Sequence, residues 1–147
     1  MGFYSLSRSN ITLSTSNDSL TFLPATGRSI QLIEFSVGGM ATTATAQNIQ
    51  IARSSGGTTP SAGVTAQPLR EAQAAAGFTN ATAWVAQPTI NQVLLRIPCN
   101  AHGGLYRWID TEEMTLVWID GNTSEQMSIR GEVGAGSVSF HCIVEEW

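Results

Sequence analysis

The sequence predicts an all-β fold, a β-sandwich or jelly roll of about eight strands in one domain, with one long inserted loop that carries a short helix. Two observations carry that expectation. Several segments alternate apolar and polar residues at period two, the mark of strands with one buried face. Glycines at Gly38-Gly39, at Gly103-Gly104 and at Gly131, Gly134 and Gly136 break these segments at the spacing of short strands. Length agrees, because 147 residues suit a single domain that buries roughly 68–70% of its unfolded surface without a metal or disulfide.

In chain order, residues 3–13 and 20–23 are the weaker strand candidates. Residues 29–37 follow, with Ile30, Leu32, Ile33 and Phe35 as the apolar members, and then 47–53 around Ile49 and Ile51. Residues 91–98 set Val93, Leu95 and Ile97 on one face and Gln92, Leu94 and Arg96 on the other. Segments 115–119 and 127–133 flank Asp120-Gly121, a pair suited to a turn with positive φ, so a hairpin with a longer loop is expected between them. The clearest alternation comes last, in 137–144. There Val138, Phe140, Cys142 and Val144 share one face, opposite Ser137, Ser139 and His141.

Residues 54–87 leave this pattern. They run through Gly56-Gly57, Pro60, Gly63 and Pro68 into the Ala-rich octet 69–76, which has the composition for two helical turns and ends before Gly77. Loops beyond about 12–15 residues are commonly functional, and Trp84 and Val85 within this one need a surface to pack on. The segment therefore reads as a long excursion from a β core rather than a second domain.

Charge narrows the function classes. Charged residues make up 12% of the chain, against about 25% in ordinary soluble domains. Ser, Thr, Asn, Gln and Gly must supply the surface, and such a surface self-associates readily. Net charge is -4, lysine is absent and all seven cations are arginine, which gives no electrostatic footprint for nucleic acid or an anionic membrane. Arginine suits protein interfaces better than lysine. No apolar run approaches the roughly 18–20 residues of a membrane span, and Met1-Gly2-Phe3-Tyr4 lacks the basic start and apolar stretch of a secretory signal, so synthesis in the cytoplasm is expected.

No constellation points to catalysis, and no cofactor is expected. Cys99, His102, His141 and Cys142 are the candidate zinc ligands, but His141 and Cys142 are neighbours on a strand and point to opposite faces. Cys142 is read as a small buried residue, and a Cys99–Cys142 disulfide stays open. The acids gather as Glu112-Glu113 and Glu145-Glu146, with Asp110 and Asp120, and are read as solvated turns and ends. No Gly-x-Ser-x-Gly, P-loop or His-Glu-x-x-His motif occurs. Asn10, Asn17, Asn80 and Asn122 head glycosylation triplets, read here as turn chemistry in a chain rich in Ser, Thr and Asn. Trp84, Trp108, Trp118 and Trp147 would serve a glycan platform, or, more simply, core and interface anchoring.

The order of these pieces resembles small tailed-phage virion decoration, or cement, proteins. The likeness runs through residues 3–7, 29–37 and 48–53, the Gly/Thr/Pro-rich stretch 54–68, Ala83-Trp84, 93–97 and the closing 144–146. It covers nearly the whole chain by order and spacing, without a signature motif. The resemblance implies a β-sandwich or jelly roll bound to the outside of an icosahedral head, made in the host cytoplasm and bridging major capsid subunits. It also implies a homo-oligomer, a trimer before a dimer, with no catalytic residue. On this reading the excursion and the N-terminal stretch carry the partner contacts, through Phe3, Tyr4, Arg8, Arg53, Pro60, Pro68, Arg70 and Trp84. The rival expectation is a virion or tail module that binds glycans on a host surface.

Overall fold

The computed structural model describes residues 1–61, 63–111, 118–133 and 136–147. Among the described residues thirteen strands follow one another: β1 Gly2–Thr12, β2 Asp18–Leu23, β3 Ser29–Gly39, β4 Ala46–Ser55, β5 Thr58–Pro60, β6 Gln67–Pro68, β7 Thr79–Ala81, β8 Trp84–Ala86, β9 Thr89–Asn100, β10 Leu105–Ile109, β11 Trp118–Asp120, β12 Gln126–Val133 and β13 Ser137–Glu146. A front sheet has the order β10-β3-β13-β1-β6, with β11 also on β3, and a back sheet has the order β7-β2-β12-β4-β9. A two-stranded ribbon, β5-β8, lies apart from both. The described pairings are antiparallel. The fold is all-β, and its two main sheets share one apolar core.

The alternation in the sequence builds that core. Val138, Phe140, Cys142 and Val144 of β13 turn inward, as do Tyr4 and Leu6 of β1 and Ile30, Leu32, Phe35 and Val37 of β3. They meet Leu20 and Phe22 of β2, Ile49 and Ile51 of β4, Ile97 of β9, and Met127 and Ile129 of β12. Two of the bulges change which residues of the expected alternation face the core. One lies opposite Ile143 and Val144, so Glu34 and Leu32 are their partners and Ile33 drops out of the buried set. The other lies opposite Ile51 and Ala52, so Leu94 packs against the core beside Leu95 and Val93 does not.

The expected hairpin across Asp120-Gly121 does not form. Residues 115–117 of its first strand lie outside the described residues; Trp118 and Ile119 belong to β11, which joins β3 in the front sheet, while β12 lies between β2 and β4 in the back sheet. Gly121 serves this crossing by its size, since a Cβ there would overlap the carbonyl oxygens of Ala25 and Arg28. The helix expected in 69–76 is also absent. Gln73 N–H donates to Arg70 O at 3.0 Å and closes one turn. Beyond it, the Gln73 amide bonds both backbone groups of Phe3, at 3.2 and 2.9 Å, and Ala74 O accepts from the Tyr4 hydroxyl at 3.1 Å. Those tertiary bonds hold residues 73 and 74 against β1, and so short a helix is marginal alone.

The excursion is instead sewn onto the body. β6 extends the front sheet beside β1, and β7 extends the back sheet beside β2. Between these two edges Phe78 is buried, its ring 5.6 Å from Tyr4 and 5.8 Å from Phe22, and it plugs the side of the core. The returning arm then roofs the outer face of the back sheet. On that face Thr21, Ser128 and Ala52 lie in one cross-strand row, and Ser54 and Arg130 flank it.

Under the roof lies a buried polar network centred on Asp18. Its Oδ1 accepts from Arg130 Nε at 2.6 Å, and its Oδ2 accepts from Thr21 Oγ1 at 2.7 Å and Ser128 Oγ at 2.5 Å. Ser128 gives its proton to the carboxylate, so Ser54 Oγ donates to Ser128 Oγ across 2.7 Å. The arm supplies the outer partners. Trp84 Nε1 donates to Thr21 Oγ1 at 3.0 Å, Arg130 Nη2 donates to Pro88 O at 3.0 Å, and Gln87 Oε1 accepts from Asp18 N at 2.9 Å. Trp84 also packs on Gly57, where any side chain would collide with its ring.

Removing one charge from a buried pair is costly because the other stays uncompensated, whereas replacing both with apolar groups is often neutral. Asp18→Ala is therefore expected to lose about 3–5 kcal/mol in urea unfolding, while Asp18→Leu combined with Arg130→Met recovers most of that loss. A single variant as stable as the wild type would show that the pair holds nothing.

Candidate functional site

The residues expected to contact a partner are distributed by the fold rather than gathered. Tyr4 is in the core, and Pro68 pairs with it from β6. Phe3 is fastened through its backbone to Leu69 and Gln73. Arg8 donates to the Ser19 carbonyl. Arg53 reaches Gln92 at 3.2 Å and Glu125 at 3.8 Å. Trp84 is bonded to Thr21. Pro60 and Arg70 are the exposed members of the set. Of these side chains, Tyr4, through Ala74 O, and Trp84, through Thr21, tie the excursion to the body.

Among the described residues, the outer face of the front sheet is left open, a surface the alternation pattern does not single out. Registers place Ser5, Ile143, Glu34 and Ile109 in one cross-strand row and Ser7, His141, Ser36 and Arg107 in the next. A third row holds Ser139, Gly38 and Leu105. Short side chains make the floor flat. Leu105 is 76% exposed, Met40 53% and Ile109 49%, and they form an apolar rim. A shallow groove of about 370 Å³ runs among Ser7, Ser36, Gly38, Met40, Leu105 and His141.

Polar groups on this face are paired within it. Ser7 Oγ and His141 Nδ1 are 2.8 Å apart, and Arg107 bonds Glu34 twice, from Nε at 2.8 Å and from Nη2 at 2.7 Å. The guanidinium holds the Glu34 carboxyl below its ordinary range, so the pair persists into mild acid. The face thus presents apolar and small polar surface with little free charge.

The other candidates scatter. His141 faces outward and Cys142 inward to Leu6 O, Cys99 lies in the back sheet, and His102 Nδ1 is 3.1 Å from Ala41 O. Among the described residues no three His, Cys, Asp or Glu side chains converge. The tryptophans are apart as well. Trp84 belongs to the roof and bonds Thr21, Trp108 packs on the core, Trp147 pairs with Ser29 through its backbone, and the side chain of Trp118 lies outside the described residues. Glu112 and Glu113 lie outside them too.

The expected solvated end at Glu145-Glu146 is corrected in part. Glu146 is 1% exposed and accepts from Gly77 N at 3.0 Å and Arg28 Nη1 at 3.3 Å, pinning the excursion to the end of β13. No protein-family model, no curated protein and no solved structure matches this chain.

Both cysteines are free thiols, one in each sheet. Burial pushes the Cys142 thiol up to about 12 and also raises Cys99, which is only half buried. At pH 8 a thiol reagent is expected to modify Cys99 slowly and Cys142 only after unfolding, with two thiols titrated in denaturant. Failure to titrate either thiol in denaturant would mean that the two are joined.

Proposed function

We propose that this chain is a non-catalytic attachment module, and within that class a decoration protein that lies on the outside of a tailed-phage head and ties major capsid subunits together. One observation carries the reading. Among the described residues, the excursion roofs the β2 and β12 part of one outer face of the sandwich, and the outer face of the front sheet is left open, flat, short-floored and apolar-rimmed. A face of that shape suits another protein surface better than a small molecule, which favours an enclosed cleft.

The topology supports a jelly roll. The front order β1-β13-β3-β10 and the back order β2-β12-β4-β9 put chain neighbours β1 and β2, β13 and β12, β3 and β4, and β10 and β9 at matching ranks of the two sheets, which is how a ribbon of hairpins wraps into that fold. The sequence resemblance to small virion decoration proteins adds the partner, the major capsid protein, and the place, the outer surface of the capsid. Net charge of -4 argues against a nucleic-acid role. The action would be mechanical. Each copy bridges subunits, and many copies on one shell raise the cost of separating any two of them far above that of a single contact.

Purified protein is expected to co-sediment with undecorated heads at a fixed number of copies per head. Ser36→Glu and Ser139→Arg, which put a charge on the flat floor, are expected to weaken that binding by on the order of tenfold or more, with unchanged circular dichroism. Variants that decorate like the wild type would remove the front face from the contact. A wild type that ignores heads but binds glycans would replace the reading with the host-surface one.

A further inference from the structure

We infer that a second copy of this chain pairs with the free edge of β10, antiparallel about a two-fold axis through Arg107. The starting point is the backbone. Asp110 N–H donates to Ile33 O at 2.8 Å, continuing the register in which Ile109, Trp108, Arg107, Tyr106 and Leu105 oppose Glu34, Phe35, Ser36, Val37 and Gly38. Hydrogen-bonded and non-bonded pairs alternate in an antiparallel ladder. Asp110, Trp108 and Tyr106 therefore bond to β3, and the N–H and C=O groups of Leu105, Arg107 and Ile109 point away from the sheet. Among the described residues, β3 is the one strand paired with β10.

Natural sheets guard such edges with lysine, proline, a bulge or a charge aimed along the strand. This edge has none of them. The chain contains no lysine, β10 contains no proline, and its register with β3 is unbroken. The one charge, Arg107, is already held by Glu34 through two bonds. Leu105 and Ile109 flank it on the same face and are exposed.

Self-complementarity names the partner. The pattern of apolar residue, arginine and apolar residue reads the same in both directions. Antiparallel pairing centred on Arg107 sets Leu105 of each copy against Ile109 of the other, twice, and joins the outward groups of three residues from each strand into about six backbone bonds. Arginine opposite arginine would repel if either were free. Here each copy brings its own Glu34, so the row of four groups is neutral. The axis stands perpendicular to the sheet, so both bare front faces look the same way and double the flat surface.

Sedimentation equilibrium of the full chain without heads is the test, so its result does not depend on what the front face binds. A dimer is expected, converted to monomer by Leu105→Lys or Ile109→Lys and by Arg107→Pro, which takes an outward N–H from the edge and no backbone bond to β3. In a Cys99→Ser background, Arg107→Cys is expected to form a disulfide-linked dimer on mild oxidation, because the paired Cα atoms would sit about 5.5 Å apart, and Tyr106→Cys, which turns inward, is not. A wild-type monomer or trimer would overturn the inference, as would a dimer that survives both lysine substitutions or an Arg107→Cys chain that stays uncrosslinked.

Discussion

A buried carboxylate decides how this chain folds around itself. Asp18 sits at the start of β2 with its side chain out of solvent, where an ionised group survives only if it is paired and its lone pairs are filled. Arg130, Thr21 and Ser128 fill them from the back sheet, and Trp84, Gln87 and Pro88 complete the shell from the excursion. Neither half satisfies the network alone. The central strand β12 is consequently buried on both faces, with Met127 and Ile129 toward the core and Ser128 and Arg130 toward the roof. The long excursion is thus a third layer with a fixed seat rather than a loop at liberty.

That seat determines what remains available outside. One pass of the excursion closes the side of the sandwich, through β6, β7 and Phe78, and its return covers the back sheet. Gln73, Tyr4, Glu146 and Arg28 tie the same pass to the chain ends. Among the described residues, the outer face of the front sheet and the β10 edge are left uncovered. The sidedness is a product of the fold, and it points away from the excursion and the N-terminal stretch, where length and apolar residues had placed the contacts, to a face whose residues look unremarkable one at a time.

Most of the strands were legible because period-two alternation is a local signal, and β13, β3, β4 and β12 show it plainly. Two phase errors, at Ile33 and Leu94, come from bulges, which leave no trace in the alternation on either side. β10 was missed because Leu105, Tyr106, Arg107, Trp108 and Ile109 hold no polar alternation; the strand is an edge, and its outward apolar residues are not answered by a core. The octet 69–76 has helical composition, but three tertiary bonds through Gln73 and Ala74 prevail over propensity. Asp18 and Arg130 lie 112 positions apart, and nothing in either neighbourhood announces the other. The same holds for the front face, which exists only once four strands from both ends of the chain lie side by side.

The treatment of charge ties the composition to the surface. Five of the seven arginines, Arg28, Arg53, Arg96, Arg107 and Arg130, stand in ion pairs with the chain's own acids, and Arg8 is turned to a backbone carbonyl. Positive charge is therefore consumed within the fold, and little of it is left to draw a partner from a distance. Long-range steering needs an unneutralised field, and exposed pairs of this kind are screened in physiological salt within about 8 Å. On the proposed reading, recognition rests on contact: the fit of a flat floor, the apolar rim and the hydrogen-bond register of an open strand edge. Such contacts are individually weak and geometrically exacting, which favours a partner that repeats in a fixed array over one met singly in solution.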